Sequence, residues 1–456
     1  MQCQIDEYWD RIFVGCHTSI SRCKCSRLAL VILSSNNMAR ALRLGMCTAM
    51  SVACLASVAC NRHPFPVAPP GYREFAYVSN GGSDTVSVLD LVNLRQDRTL
   101  QVGGHPSGMA VNPHRDEVYV VNTPAGAVDV IDTDSNRVVA TIPVRKTPYF
   151  VDVDAEGARA YVANSGSNSV SVIDLIARRE VGVVDTGGQP GVARISADGR
   201  SLVVSNRGSG SVSVFGVEPL PKKSKVTLGL PILGEKRDSF RKIPLPRLRA
   251  TFAGCPGATD IAILPYSTKA FIACSGGHHV MAVALAQPAD SLAVKQNPSL
   301  GVDHLLALLD VGKSPVHLAM KPDGGQIFCA NFDSDSISAI DTESNEVTRT
   351  DAIADGPVRG VVSSDGSTLW IANFNADSIN LWSIDDSASL GGVRTGRAPD
   401  ALAFSADGHL LLAADAKSGD VAVIRTQDKN GPELFTMLPA GASPNAIVVK
   451  AMRGKP

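Results

Sequence analysis

An all-β ring of four-stranded sheets is the fold this sequence predicts, with eight sheets favoured, seven as the alternative, and the ring closed by the C-terminal strand. Three observations predict it. A short strand motif recurs at fixed spacing, every copy sits in the same frame of turn signals, and the piece missing from the first copy reappears near the C-terminus.

The motif reads YVSN at Tyr77–Asn80, YVVN at Tyr119–Asn122, YVAN at Tyr161–Asn164 and VVSN at Val203–Asn206, 42 residues apart. It drifts to FIAC at Phe271–Cys274, then to FCAN at Phe328–Asn331, WIAN at Trp370–Asn373 and LAAD at Leu412–Asp415, the last three again 42 apart. The irregular intervals, 68 and 57 residues, hold insertions at 218–250 and 286–303.

Taken in order, a repeat opens on a proline (Pro106, Pro148, Pro190, Pro256, Pro315, Pro357 or Pro399) and a short alternating strand. A turn with Gly157, Gly199, Gly366 or Gly408 follows, where glycine accepts the positive φ a tight hairpin needs. The YVxN strand comes next, then a Gly/Ser/Asn loop and a third strand such as SVSVIDL. A more variable fourth strand, as in RVVATIPV, completes the unit. Four strands in about 42 residues make one blade of a β-propeller. The block at Phe75 has no Pro-led strand before it, whereas Pro444–Val449 matches that strand. The C-terminus is therefore expected to close the first blade and to leave no open edge.

These residues resemble the YVTN β-propeller repeat family over about four-fifths of the chain. The resemblance implies the fold and little about activity. Propellers of similar shape include lactonases and the haem-carrying propeller of a nitrite reductase, but none of their functional motifs appears here.

The N-terminal part reads differently. Residues 1–37 fit no repeat and are expected to be a non-native or disordered extension. Arg40 and Arg43, the apolar stretch Leu44–Ala59 and the small residues before Cys60 have the form of an export signal over 38–60. Cys60 is either a lipidation site or the residue after an ordinary cleavage. Residues 61–74 form a Pro-rich linker, and 75–456 the propeller. Export to the periplasm or outer cell envelope follows, with Cys60 as the potential anchor.

Lys plus Arg total 43 and Asp plus Glu 44, so the chain as a whole offers no pull on nucleic acid. The basic stretch within 218–250 is the local exception and could meet an anionic surface. Candidate ligand residues gather on the loop face and channel: His105, Arg145, Lys146, Arg207, His278, His279, His317, Arg359 and Arg397, with Lys313 and Arg394 nearby. Adjacent His278 and His279 could share a metal only in a loop, since neighbours on a strand point to opposite faces. Counted from the leading prolines, Asp152, Arg194 and Asp260 share the fourth position of their strands, and His317 and Arg359 the second. They read as inter-blade ion pairs or as a ring around the channel. Asp132-x-Asp134-x-Asn136 begins like a calcium loop, but Arg137 and Pro143 stand where Gly and Glu belong, which leaves a capped turn. Cys255 and Cys274 flank one hairpin and are either disulfide-bonded or reduced; Cys329 is expected to be a free, buried thiol. Neither a C-x-x-C-H haem motif nor a G-x-S-x-G elbow occurs, and no cofactor or metal is expected. The resulting expectation is a monomeric, non-catalytic module binding a protein or polymer at the cell envelope. The alternative is a channel-centred enzyme of lactonase or oxidoreductase type.

Overall fold

The computed structural model describes residues 68–220, 243–427 and 431–452. The extension, the export signal with Cys60, most of the linker and most of the basic stretch fall outside them. Among the described residues thirty-two strands, β1 to β32 in chain order, form eight four-stranded antiparallel sheets. The protein is a β-propeller of eight blades.

Blade 2 shows why the sequence folds this way. Its strands β4 (Pro106–Val111), β5 (Glu117–Asn122), β6 (Ala127–Asp132) and β7 (Arg137–Pro143) pair in sequence order. Strand β5 is buried along its whole length, whereas β7 alternates between exposed and covered positions. A strand flanked by two neighbours and two adjoining blades reads as a continuous apolar run; an outer strand keeps one wet face. The asparagine that ends each YVxN strand is buried, and where the third strand carries Ser-x-Ser it donates locally. Asn206 Nδ2 donates to Ser211 Oγ (3.2 Å) and Ser213 Oγ (3.0 Å), and Asn331 does the same to Ser336 and Ser338. The recurrent Ser-x-Ser of the third strand is thus the partner of the recurrent Asn. Gly157, Gly199, Gly366 and Gly408 have φ of +63°, +68°, +74° and +73°, as the hairpin turns require. Asp132 accepts from Ser135 N at 2.8 Å, a capped turn.

Closure follows the expected route. Strand β32 (Pro444–Met452) pairs antiparallel with β1 (Arg73–Asn80), Phe75 opposite Lys450 and Val78 opposite Ile447. Blade 1 is completed by β2 (Thr85–Asp90) and β3 (Arg95–Gln101). The apolar clusters lie between blades: Val203, Val212 and Val214 of the fourth pack with Ile261, Ile272 and Met281 of the fifth.

The other inner strands are β8 (Pro148–Val153), β12 (Pro190–Ile195), β16 (Ala258–Ile263), β20 (Pro315–Met320), β24 (Pro357–Val362) and β28 (Pro399–Phe404). The residue before each inner strand has a left-handed backbone: His105, Thr147, Gln189, Gly257, Ser314, Gly356, Ala398 and Ser443 have φ between +44° and +68°. In blade 5 this site is Gly257, so Ala258, not Pro256, takes the place of the leading proline. Alignment on Pro256 is two residues out. Asp260 does not sit fourth with Asp152 and Arg194 but second, level with His317 and Arg359.

Candidate functional site

The inner strands surround a cavity of about 440 Å³. Its charged lining comes from consecutive blades: Arg194 on β12, Asp260 on β16, His317 on β20, Arg359 on β24 and Asp400 on β28, with Arg207 from the loop after β13 (Ser201–Asn206). Each of these strands carries a register irregularity just after its first residue. A bulge of this kind re-aims side chains, and here successive residues, such as Val316 and His317, or Asp400 and Ala401, both line the channel.

Asp260 is the hub. Its Oδ1 accepts from Ile261 N (2.8 Å), its Oδ2 from Leu318 N (3.1 Å), and Oδ2 lies 2.6 Å from His317 Nδ1. Arg194 Nη2 is 3.8 Å from Oδ1. Burial pushes the Asp260 carboxyl up, but His317, with its hydrogen bond, and the guanidinium groups of Arg194 and Arg359 prevail and hold it well below the usual carboxylate range. His317 Nε2 meets the Gly360 carbonyl at 2.9 Å, so both ring nitrogens face protein acceptors. His317 therefore braces neighbouring blades and offers no nitrogen to a ligand. Arg359 Nη1 lies 3.4 Å from His317 Nδ1, and its Nε donates to the Asp400 carbonyl at 3.3 Å.

The two remaining carboxylates behave differently. Asp152 accepts from Ile195 N (3.0 Å), and burial raises its carboxyl against the pull of Arg194. Asp400 lines the cavity itself. Burial raises its carboxyl as well, opposed by the positive charge of Arg359. Sequence reasoning missed Asp400, because it is the first residue after its proline and only the second and fourth positions were compared. An acid inside an otherwise apolar strand was the available signal.

The structure brings Arg207, His317 and Arg359 to the cavity but disperses the other loop candidates. His279 Nδ1 and Nε2 lie 2.8 Å from the carbonyls of Gly277 and Gly254, and His278 Nδ1 accepts from Ser314 N at 3.2 Å. Both histidines are thus tied to backbone. Arg145 pairs with Glu180 at 3.1 Å, and Arg397 Nη2 reaches the Lys417 carbonyl at 3.4 Å. The His105 backbone N–H donates to Asp84 at 2.7 Å, while Lys146, Lys313 and Arg394 are exposed. Cys255 and Cys274 are disulfide-bonded with Cα atoms 4.8 Å apart, and Cys329 is a free, buried thiol.

Fold and cavity together define a channel-centred β-propeller. The family described as "Lactonase, 7-bladed beta-propeller" matches residues 361–437, which include Asp400, although this ring has eight blades. No curated protein matches the sequence. Among solved structures, the dihydro-heme d1 dehydrogenase NirN in complex with DHE is similar at 15% identity and TM-score 0.64, over 86% of this chain and 78% of that one. A putative 6-phosphogluconolactonase from Bacteroides fragilis gives 15% and 0.54, over 85% and 100%. Apo AztD from Citrobacter koseri gives 15% and 0.56, over 84% and 99%. At such identities the structural likeness is one of fold. The lactonase match overturns the expectation of a non-catalytic binding module, and the alternative, an enzyme centred on the channel, fits better.

Proposed function

We propose that the protein is an enzyme whose active site is the channel cavity, and that it hydrolyses a lactone, a cyclic ester. The observation that carries this reading is Asp400, a cavity-lining carboxyl held up by burial beside the guanidinium of Arg359. A carboxylate whose pKa lies above its ordinary range is a better base near neutrality.

In the reaction, ionised Asp400 takes a proton from a water whose oxygen bonds to the acyl carbon. The ring C–O bond then breaks, and the proton passes to the departing alkoxide, giving a hydroxy acid. Arg359 and Arg194 stabilise the charge that develops on the acyl oxygen, in a setting drier than bulk water. Asp260 is a positioning residue whose charge draws in the two arginines, and His317 braces Asp260. The 42-residue spacing of the YVxN motif supports our further inference that the repeats are of the YVTN type.

Turnover of a panel of lactones tests the reading. Asp400→Asn should lower kcat/KM by about 10²–10⁴-fold with the fold intact by circular dichroism. In the parent, kcat/KM should rise with pH, with a midpoint above the usual carboxylate range. An Asp400→Asn protein as active as its parent, or a parent that opens no lactone, removes the proposal.

A further inference from the structure

The cavity is divided. Every charged residue of its lining belongs to blades 4 to 8, and among the described residues blades 1 to 3 contribute only neutral ones. The neutral sector offers Met109, Phe150, Ile447 and Val448 to the interior. Apart from the exposed Tyr149 side chain, its polar side chains are engaged within the protein. Ser107 Oγ donates to the Tyr149 carbonyl (2.9 Å) and pairs with Thr123 Oγ1 (3.0 Å). Asn445 Nδ2 donates to the Pro106 carbonyl (2.9 Å), and its Oδ1 accepts from Ser79 (2.6 Å). A ligand resting on this side meets hydrocarbon.

The charged sector is short of negative charge. Arg194, Arg207 and Arg359 face it against Asp260 and Asp400, and Asp260 is already surrounded by two backbone N–H groups and His317. Arg194 Nε is buried without a hydrogen-bond partner among the described residues, and its guanidinium lies 5.2 Å over the Phe150 ring, at the border of the two sectors. The accessible part of the Arg194 side chain, 35% exposed, leaves guanidinium donors within reach of a carboxylate.

We propose that the cavity takes an amphipathic organic acid, its carboxylate held by Arg194 and Arg359 and its hydrocarbon part laid against Met109, Ile447 and Val448. This rests on the catalytic reading, since opening a lactone that bears an alkyl or aryl group yields such an acid. A polyhydroxylated sugar acid is the poorer fit, because the neutral sector offers its several hydroxyls little beyond the Tyr149 side chain.

Calorimetry on the full chain tests this with butanoate, hexanoate, octanoate, gluconate and inorganic phosphate. Affinity should rise about fourfold with each added methylene of the fatty acid. Octanoate should bind at least about tenfold more tightly than gluconate or phosphate. Arg194→Gln should weaken octanoate by about tenfold or more through loss of a charge-assisted bond. Should that protein fail to fold, Ile447→Asn probes the opposite wall, and a shallower chain-length dependence is expected. Tighter binding of gluconate or phosphate, or a flat chain-length series, overturns the proposal. Lactone turnover that octanoate does not inhibit removes the ligand class and leaves the catalytic reading. Octanoate binding in a protein that opens no lactone does the reverse.

Discussion

Asp415 stands where six other blades place the asparagine of the YVxN strand. Register puts it directly opposite Asp420, so two carboxylates meet where blade 4 has Asn206 donating to serines. Asp415 accepts from Gly396 N at 3.0 Å, yet burial, and after it the charge of Asp420, pushes its carboxyl up to about 8. A carboxyl raised in the folded state binds its proton more tightly there than in the unfolded chain. Stability is then fullest below the unfolded value near 4 and falls as pH rises through about 8. Asp415→Asn should therefore stabilise the protein at pH 9, on the order of 2 kcal/mol, with the gain vanishing near pH 4. Urea midpoints taken across that range would show it, and parallel profiles for parent and variant would count against it. The sequence displayed the drift from Asn to Asp; the proton did not show, because it depends on which residue the hairpin sets opposite. Asp260 teaches the same lesson. Its charge in an apolar strand was visible, but its level in the channel needed the left-handed residue at Gly257, which the nearby Pro256 concealed.

The loop between one blade's fourth strand and the next blade's first explains the disulfide. At Gly103 an added Cβ would come within 2.9 Å of the Asn122 side chain, and at Gly187 within 2.7 Å of Asn206. The loop presses onto the buried residue that ends the second strand, and this position is glycine in five blades, with Arg145 in the third and Ala354 in the seventh. In blade 5, Cys255 takes the glycine position and Cys274 the asparagine position, and a covalent bond replaces the close contact. Loss of Asn from the motif in FIAC was the legible half of this exchange; the paired loss of glycine was hidden by the shifted proline. The bond closes a short loop, its cysteines 19 positions apart, and should contribute about 3 kcal/mol. Cys274→Ala should lower the melting temperature by several degrees, and reduction of the parent should do the same. Equal melting of the oxidised and reduced parent would show that the bond adds no stability.

At the scale of the ring, stability resides between blades, because no four-stranded sheet can cover its own two faces. Strand β32 shows this most directly. Met452, Ala446 and Val448 pack with Tyr77 of β1 and with Met109 and Val118 of blade 2, joining the last segment of chain to the first two blades. The same strand supplies Asn445, Ile447 and Val448 to the neutral side of the cavity. Ring closure was legible from the sequence because a Pro-led strand was missing at one end and present at the other. The cavity's division was not, since it depends on which blades neighbour one another once the ring is shut. Deleting 444–456 should therefore remove two properties together. The exposed edge of β1 and the uncovered flanks of its neighbours should cost solubility and cooperative unfolding, and octanoate binding should disappear with the neutral wall. A synthetic peptide of residues 444–456 added in trans should restore both, since an edge strand accepts a pairing segment through its free backbone groups. Sedimentation, melting curves and calorimetry on the truncated protein, with and without the peptide, measure each part. A truncated protein that melts as high and as sharply as the parent would show that the ring does not depend on its closing strand.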